Sequence, residues 1–184
     1  MFLYIFMQLS PLTPSHYPQA EALYEQSFPE IERRDSQKWK QLWLTNDHFF
    51  IDVICTNNQS FGGFISYWLF PDFVYIEHFA TSPTLRGKGI GGKCLDLFVE
   101  RFPTLPIILE VEMPTDTTSA RRIAFYKRHH FTLLPLPYAQ PPYRQEGESL
   151  PMHIMCTHPQ DVTLRFEQMI NNLHREVYEV ANQA

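Results

Sequence analysis

The hydrophobic positions of this chain change period several times, and the changes predict where strands and helices lie. An apolar run at 4–9 is typical of a first strand. Two helices should follow, the first with Ser15 as its N-cap and Pro29 at its end, the second at 36–44. In both segments apolar residues recur three and four positions apart, as they do on the buried face of a helix.

Three apolar segments with short polar connections come next. They cover 49–56, 62–70 and 73–81, and they are separated by a polar turn at 57–60 and by Pro71-Asp72. Strands joined by connections this short pair in antiparallel fashion. A three-stranded meander is therefore expected.

The second half of the chain alternates helices with strands. A helix at 90–102 and a buried strand at 106–111 should form one βαβ unit with the strand at 73–81, and so a parallel pair of strands. The fold class is therefore mixed α/β, with a mostly antiparallel sheet flanked by helices. The remaining expected segments are a helix at 118–128, strands at 131–134 and 152–156, an irregular Pro- and Tyr-rich loop at 135–149, and an amphipathic helix at 161–184.

Length and charge narrow the class of protein. A chain of 184 residues is most simply one domain, 1–184, with a full hydrophobic core. The net charge of −5 argues against a nucleic-acid-binding surface. The first apolar run follows no basic segment and is far shorter than the roughly 20 residues that span a membrane, so neither a signal peptide nor a membrane anchor is expected. Met7 is an alternative start of the protein.

The cysteines and histidines indicate neither disulfides nor a metal. Cys55, Cys94 and Cys156 cannot all pair and show no CxxC spacing, which favours the cytoplasm and a role as small buried hydrophobic residues. Of eight histidines, only His129 and His130 are adjacent, and no carboxylate or cysteine stands at metal-ligand spacing from them. No metal site is expected.

The glycines are concentrated in one loop. Four of the seven in the chain lie within 87–92, in the run Arg86-Gly87-Lys88-Gly89-Ile90-Gly91-Gly92, directly before an expected helix. Such a loop presents unpaired N–H groups and the positive end of the helix dipole, which together suit a phosphate. A merely flexible loop is the alternative, but a flexible linker does not need an apolar helix starting inside it.

Two other phosphate-binding patterns share features with this run. A Walker A loop requires Ser or Thr after Gly-Lys, whereas Gly89 follows Lys88, so that pattern is absent. Gly87, Gly89 and Gly92 do match the dinucleotide fingerprint G-x-G-x-x-G, with Glu110 near the place of a ribose-binding acid. The first glycine does not directly follow its strand, however, and no second mononucleotide half is present.

A third pattern points to a known family. The spacing R-x-x-G-x-G, formed by Arg86, Gly89 and Gly91, lies in FATSPTLRGKGIGGKCLDLF, which resembles the acetyl-CoA motif of the GNAT superfamily of N-acetyltransferases. A second run, ARRIAFYKRHHF, is similar to that family's later helix-to-strand motif, with His130 in place of glycine before Phe131. The order of expected elements also matches, and the resemblance covers about 7–157. It implies a sheet splayed between strands four and five, and it suggests a left-handed turn at His130.

The resemblance implies acetyl-CoA as the co-substrate. The amides of the glycine loop would cradle its diphosphate, and the main chain at the end of the preceding strand would pair with the pantetheine arm as another strand would. Ser119 stands where many members carry an asparagine that touches the cofactor. The residues implied for this role are Phe79, Ala80, Thr81, Arg86, Gly87, Lys88, Gly89, Ile90, Gly91, Gly92 and Ser119.

Catalytic roles follow from the same resemblance and from the chemistry of amide formation. Tyr126 is similar to the family's tyrosine that protonates the departing thiolate. Because only a neutral amine attacks a thioester, a proton acceptor is also needed, and Glu77 near the end of its strand is the first choice. His78 is the alternative, and strand alternation places it on the opposite face. The alternative for Tyr126 is an aromatic residue that only packs.

Three further residues are candidates for the acceptor side. Glu110 and Glu112 share a face of their strand and would bind a cationic amine or act as the base, unless they are only solvated strand-end charges. Tyr143, with Tyr138 and Arg144, would form one wall of the acceptor pocket, unless 135–149 is only a surface excursion.

The expected function is therefore acetyl transfer from acetyl-CoA to a primary amine, small molecule or peptide, by direct attack in a ternary complex. The rival is a non-catalytic acyl-CoA-binding sensor or interaction module. The C-terminal segment 158–184 lies beyond the resemblance, and its apolar stripe must be buried on its own domain or across a homodimer.

Overall fold

A computed structural model describes residues 7–56, 60–144 and 147–180. Within them the helices are α1 (Tyr17–Ser27), α2 (Ser36–Thr45), α3 (Ile90–Arg101), α4 (Thr117–Arg128), α5 (Pro159–Leu164) and α6 (Phe166–Tyr178). The strands are β1 (Gln8–Pro11), β2 (Phe49–Thr56), β3 (Ser60–Leu69), β4 (Val74–Thr81), β5 (Ile107–Glu112), β6 (Thr132–Leu133), β7 (Tyr138–Gln140) and β8 (Leu150–Cys156). Parts of the expected first strand (4–6), of the expected turn (57–59) and of the expected last helix (181–184) lie outside the described residues.

The described strands form one mixed sheet in the order β1-β2-β3-β4-β5-β8-β6, and β7 also pairs with β8. The meander β2-β3-β4 is antiparallel, and β4 and β5 are the parallel pair, as the spacing of elements predicted. Helices cover both faces. Buried residues such as Trp39 and Leu173 fill the face beneath α1, α2 and α6, whereas Leu95 and Ile123 fill the face beneath α3 and α4.

The sheet opens in its middle, as the resemblance implied. The parallel register between β4 and β5 covers three positions and ends at Ile76↔Leu109. Beyond it, β4 stays paired with β3 up to Thr81, and β5 stays paired with β8 up to Glu112. Each strand is therefore held along its outer edge while the two inner edges separate. Strand edges without partners present free N–H and C=O groups.

A bulge lies at the point where the strands separate. Ser66 of β3 faces His78 and Tyr67 faces Ile76, so Glu77 is an extra residue on β4. Two residues on the bulged strand then oppose one on its partner, and the strict alternation of side chains is lost there.

Helix ends follow local capping chemistry, with one correction. Asp35 caps α2 by accepting from the Lys38 amide at 3.0 Å. The expected cap of α1, Ser15, is wrong: the N-cap residue is His16, because the Ser15 hydroxyl bonds the Thr13 hydroxyl at 2.8 Å instead of a helix amide. At the end of α4, His130 has φ of 69°, and the Phe131 amide donates to the Tyr126 carbonyl at 3.1 Å. The left-handed turn predicted there is confirmed.

The C-terminal part differs from the pattern in two places. The segment at 135–149 is not wholly irregular, because β7 pairs with β8 through Tyr138↔Met152. The expected single helix at 161–184 is two helices, α5 and α6, interrupted at Arg165. The apolar stripe of α6, which includes Met169 and Leu173, is buried in the core of its own chain. No described helix combines the length and the apolar character needed to cross a membrane.

Candidate active site

The gap between β4 and β5 is a cleft of about 260 Å³. Its lining combines strand, loop and helix residues from widely separated parts of the sequence: Ser27, Phe28, Ile76, Glu77, Phe79, Ala80, Thr81, Arg86, Leu109, Glu110, Arg122 and Tyr126.

The glycine loop borders this cleft through Arg86 and opens directly into α3. Gly87 and Gly89 both have φ of 75°, a left-handed conformation that side chains rarely adopt. A Cβ at either residue would meet no atom within 4 Å, so the loop faces open space. The first bond closing α3 runs from the Lys93 amide to the Gly89 carbonyl at 3.1 Å. The amides of the preceding residues, including Ile90, therefore have no intrahelical acceptor.

Of the two glycines inside α3, only Gly92 is explained by packing. A Cβ on Gly92 would lie 2.7 Å from the His129 ring, whereas one on Gly91 would make ordinary contact with Thr81 at 3.5 Å. Gly92 thus allows α3 to approach the end of α4. His129 is fixed there by Asp96, whose carboxylate lies 2.6 Å from its Nδ1.

The main chain of β4 forms one wall of the cleft. The Glu77 side chain is fully buried, yet the residue as a whole is partly exposed, so its exposed surface belongs to the backbone. Phe79, Ala80 and Thr81 line the same cleft and are bonded to β3 on their other edge. Their inner edge can accept an extended ligand as an added strand.

Tyr126 projects from α4 into the cleft, one helical turn after Arg122. Its hydroxyl makes no hydrogen bond to any residue that the structure describes. Burial raises the pKa of Tyr126 to about 12, so the phenol holds its proton at neutral pH. A hydroxyl that is protonated and unengaged at the edge of a cleft can donate a proton to a ligand.

Glu77 is satisfied by the protein itself. Its Oε1 accepts from the Arg34 guanidinium and its Oε2 accepts from Trp68 Nε1 at 3.0 Å. Burial opposes ionisation, but the Arg34 charge and these hydrogen bonds outweigh it and hold the pKa of Glu77 below its usual value. Arg34 also donates to the Val177 carbonyl of α6, so the pair connects three separate elements. A carboxylate paired in this way is a weak proton acceptor.

His78 does not lie on the opposite face from Glu77, and that expectation is wrong. The bulge turns both side chains to the face under α1, where the His78 ring packs 4.9 Å from Tyr24 and 4.5 Å from Phe28. Its Nε2 lies 3.1 Å from the Glu32 carbonyl, and burial lowers the pKa of His78.

Glu110 lies across the cleft from Glu77 in a different environment. Its carboxylate accepts hydrogen bonds from Tyr75 at 2.9 Å and Tyr178 at 2.7 Å, and also from Tyr138 and Gln140. Burial raises the pKa of Glu110, and the four donors act in the opposite direction without cancelling it. No cationic side chain in the described residues forms an ion pair with it.

The other two acceptor-side candidates, Glu112 and Tyr143, are not among the residues that line the cleft. Glu112 pairs with Arg122 at 2.7 Å on the surface. Tyr143 packs over the Arg34 guanidinium, 4.9 Å from ring centroid to Cζ, and its hydroxyl lies 3.4 Å from that of Tyr178. Arg144 points away to Glu30, at 3.1 Å.

Ser119 is placed differently from the residues of the cleft. It is buried, and its hydroxyl accepts from the Asp116 amide at 3.2 Å while Asp116 caps the same helix. The hydroxyl is thus engaged in the capping box of α4.

The three cysteines are buried thiols, and the described residues do not meet the requirements of a metal site. Cys55, Cys94 and Cys156 are all buried and unpaired, as predicted, and burial raises the pKa of the Cys94 thiol. Within the described residues, no three His, Cys, Asp or Glu side chains are grouped so that they could hold a metal ion.

Several residues around Glu77 and Glu110 are not predictable from the sequence. Arg34, Trp68 and Tyr75 contact the two carboxylates, and so do Gln140 and Tyr178 from the C-terminal part. One sequence signal was present: Tyr178 follows the apolar stripe of α6 at its end, where a buried hydroxyl needs a polar partner.

Two proteins resemble this chain in sequence. A solved structure from Bacteroides thetaiotaomicron, assigned to the GNAT family of acetyltransferases, superposes with a TM-score of 0.88 and is 38% identical; the match covers 95% of this chain and 99% of that one. The Bacillus subtilis protein YjbC, also assigned as an acetyltransferase, is 36% identical over 64 residues, which are 34% of this chain and 32% of that protein. The match thus spans about a third of that relative's length.

More distant structures and a family model complete the comparison. The ribosomal-protein-S18-alanine N-acetyltransferase from Escherichia coli is 17% identical with a TM-score of 0.61, over 83% of this chain and 93% of that one, which shows a shared fold. The model of the acetyltransferase (GNAT) family matches residues 17–131, well over half of the chain. This segment contains α1 through α4 and both walls of the cleft. The chain therefore belongs to the GNAT family of acetyltransferases.

Proposed function

We propose that this protein transfers an acetyl group from acetyl-CoA to a primary amine, by direct attack of the amine in a ternary complex. The observation that carries this proposal is a pair of main-chain features beside the cleft. One is the open glycine loop with its unpaired amides, and the other is the free edge of β4, which leads from that loop into the cleft. The unpaired buried cysteines suit action in the cytoplasm.

The residues present fit acetyl-CoA. The amides of Gly87 to Gly92 offer donors to a diphosphate, and the exposed side chains of Arg86 and Lys88 add positive charge beside them. Because Gly87 and Gly89 leave open space, an anion can approach the backbone closely. Phe79, Ala80 and Thr81 then offer main-chain groups to an amide-containing arm, as a neighbouring strand would.

Acetyl-CoA supplies an activated acyl group, and the protein's own residues handle protons. A neutral amine is required for attack on the thioester, so a base must take a proton from the acceptor's ammonium. Tyr126 holds its proton at neutral pH and donates it as the thiol leaves. No cysteine nucleophile takes part, because Cys94 is buried within α3.

The acceptor approaches the part of the cleft that Glu77 and Glu110 line. Glu112 pairs with Arg122 on the surface and Tyr143 packs over the Arg34 guanidinium, both outside that lining, and the acidic groups favour a cationic amine. A small molecule and a peptide N-terminus both meet this requirement.

The test combines binding with turnover. Isothermal titration with CoA and with NAD, followed by thiol release from acetyl-CoA across a panel of primary amines, should show CoA binding, no NAD binding and amine-dependent release. Tight binding without turnover for any amine would instead support a sensor. Absence of CoA binding would refute the proposal at its first step.

A further inference from the structure

We propose that His129 is a positioning residue for the cofactor. With Asp96 it clamps the first turn of α3, whose amides would bind the diphosphate of acetyl-CoA, to the end of α4 that carries Tyr126. This inference rests on the proposed function and goes beyond it, because His129 is not among the residues that line the cleft. The contacts to the diphosphate stay with the main chain, and His129 fixes where that main chain lies.

The first turn of α3 has few side chains that could hold it in position. Gly89, Gly91 and Gly92 have none, and the remaining residue, Ile90, is buried in a small cluster with Ile54 of β2. That cluster attaches the turn to the sheet, not to α4. A contact from α4 is therefore needed to fix the turn relative to that helix.

The His129 ring provides this contact by filling the space beside Gly92. The three atoms nearest to a Cβ built on Gly92 all belong to the ring: Cε1 at 2.7 Å, Nε2 at 2.8 Å and Nδ1 at 3.9 Å. Real Cβ atoms essentially never come closer than 3.0 Å to another atom. The ring in this position and a side chain at residue 92 therefore exclude each other.

Asp96 prevents the ring from turning aside. It follows Gly92 by four positions, so both lie on one face of α3, and helical side chains lean towards the N-terminus. Its Oδ1 lies 2.6 Å from Nδ1 of His129. Because a carboxylate only accepts, Nδ1 is the donor, and this hydrogen bond fixes the orientation of the imidazole. Phe125 also packs against the ring, with centroids 4.8 Å apart.

The main chain of His129 is joined to the residue that projects into the cleft. His129 is the C-cap of α4, and its amide donates to the Tyr126 carbonyl at 3.0 Å. The same carbonyl accepts from the Phe131 amide at 3.1 Å. The clamp thus fixes the amides that would hold the cofactor relative to the phenol proposed to protonate its sulfur. Holding reacting groups in one geometry is a major source of catalytic rate.

The decisive experiment is a double-mutant cycle on CoA affinity, measured by isothermal titration. Gly92→Ala puts a methyl group against the ring, so CoA binding should weaken by about tenfold or more as the turn is displaced. His129→Ala should weaken it by about threefold to tenfold, because the turn loses its attachment to α4. In the double variant the methyl group meets no ring, so the affinity should equal that of His129→Ala. A Gly92→Ala loss that is equally large without the ring would overturn the inference.

Variants of the hydrogen-bonded pair test the clamp itself. Asp96→Ala should weaken CoA binding as His129→Ala does, and the two changes together should cost no more than either alone. His129→Asn keeps an N–H donor near the place of Nδ1, so its affinity should lie closer to wild type than that of His129→Ala. The matched control is His48→Ala, at an exposed histidine directly before β2, which should bind CoA as wild type does. Additive losses for Asp96→Ala and His129→Ala would contradict a shared clamp.

Steady-state kinetics distinguish positioning from a general loss of structure. The His129 and Asp96 side chains are 17% and 46% exposed, so removing either should leave the fold intact. In His129→Ala, KM for acetyl-CoA should rise while KM for the amine stays at the wild-type value, whereas a loosened fold would affect both. Wild-type CoA affinity in His129→Ala would overturn the inference alone, even if Gly92→Ala failed to fold. A wild type that binds no CoA would overturn the proposed function as well.

Discussion

The two halves of the cleft are built in different ways. The half proposed to bind the cofactor (the cofactor half) consists of main chain: glycines with φ of 75°, amides before the first bond of α3, and the free edge of β4. The half proposed to bind the amine (the acceptor half) consists of side chains buried in a hydrogen-bonded network around Glu77 and Glu110. A backbone site recognises groups that every acyl-CoA carries, whereas a side-chain site can be altered by single substitutions to suit a particular amine.

This difference determines which kind of substitution should impair each half. The glycine loop is exposed and faces open space, so removing a side chain there takes away little, but adding one imposes strain. The acceptor half is buried, so removing one partner leaves a polar or charged group without its hydrogen bonds. Substitutions that add a side chain should therefore impair the cofactor half. Substitutions that remove a hydrogen-bonding partner should impair the acceptor half.

The largest effect is expected from the buried pair in the acceptor half. Arg34→Met leaves Glu77 Oε1 and the Val177 carbonyl without their donor and the buried carboxylate without its cation. Breaking one member of a buried pair destabilises a protein by about 3–5 kcal/mol, and urea unfolding would measure the loss. Arg175→Met, which removes an exposed partner of Glu176, should change stability by under ~1 kcal/mol.

The pH dependence of that loss has a definite sign. Glu77 has a folded-state pKa below its ordinary 4.5, so the stability it contributes is present above 4.5 and is lost as pH falls through the lower folded value. In Arg34→Met, burial without the guanidinium would raise the pKa of Glu77 instead. The difference in unfolding free energy between wild type and Arg34→Met should therefore become smaller as the pH falls. If the loss of unfolding free energy in Arg34→Met were the same at about pH 4 as at about pH 7, charge pairing would not be its cause.

Tyr126 lines the cleft, and its proposed role is to protonate the leaving thiol. Tyr126→Phe removes only a hydroxyl that bonds no described residue, so stability and CoA affinity should stay near wild type. If the phenol protonates the leaving thiol, kcat should fall by about 100-fold, at the lower end of the range for general acid catalysis. Single-turnover thiol release with saturating amine would report this step directly. An unchanged kcat would remove Tyr126 from the chemistry and leave it a packing role beside Phe131.

The glycine loop offers a pair of variants that add the same methyl group. At Gly89, φ of 75° makes alanine unfavourable by about 1–2 kcal/mol. If the free loop relaxes to relieve this strain, the apparent affinity for CoA should drop by about 5- to 30-fold, as the fraction of competent loop falls. At Gly91, an added Cβ makes ordinary contacts, so Gly91→Ala should bind CoA as wild type does. Equal affinity for the two variants would mean that the loop conformation does not govern binding.

The same division explains what the sequence made predictable. The glycine loop and α3 depend on neighbours in the chain, and both appear where the local pattern placed them. The acceptor half depends on distant partners: Arg34 and Glu77 are 43 positions apart, and Glu110 and Tyr178 are 68 apart. No local pattern encodes those pairings. They follow from how the elements pack.

The errors have similar causes. His78 was placed on the wrong face because the bulge at Glu77 is a property of the β3–β4 register, which one strand alone does not reveal. The break between α5 and α6 falls at Arg165, where neither proline nor glycine gives a signal. Strand β7 was missed because prolines surround it, yet its pairing with β8 brings Tyr138 and Gln140 to Glu110.

The smallest effect should come from a charge on the cofactor half. Arg86 is exposed and lines the mouth of the cleft, so Arg86→Ala removes a solvated charge but none of the backbone donors. An exposed charge contact is worth ~0.2–1 kcal/mol, so CoA affinity should weaken by no more than about fivefold. The difference should shrink further at high salt because exposed charges are screened. A loss of 100-fold or more that persists at about 0.5 M salt would mean that a side chain, and not the main chain, provides the principal grip on the diphosphate. Removal of a side chain would then impair the cofactor half, as it does the acceptor half, and the distinction between the two halves would no longer hold.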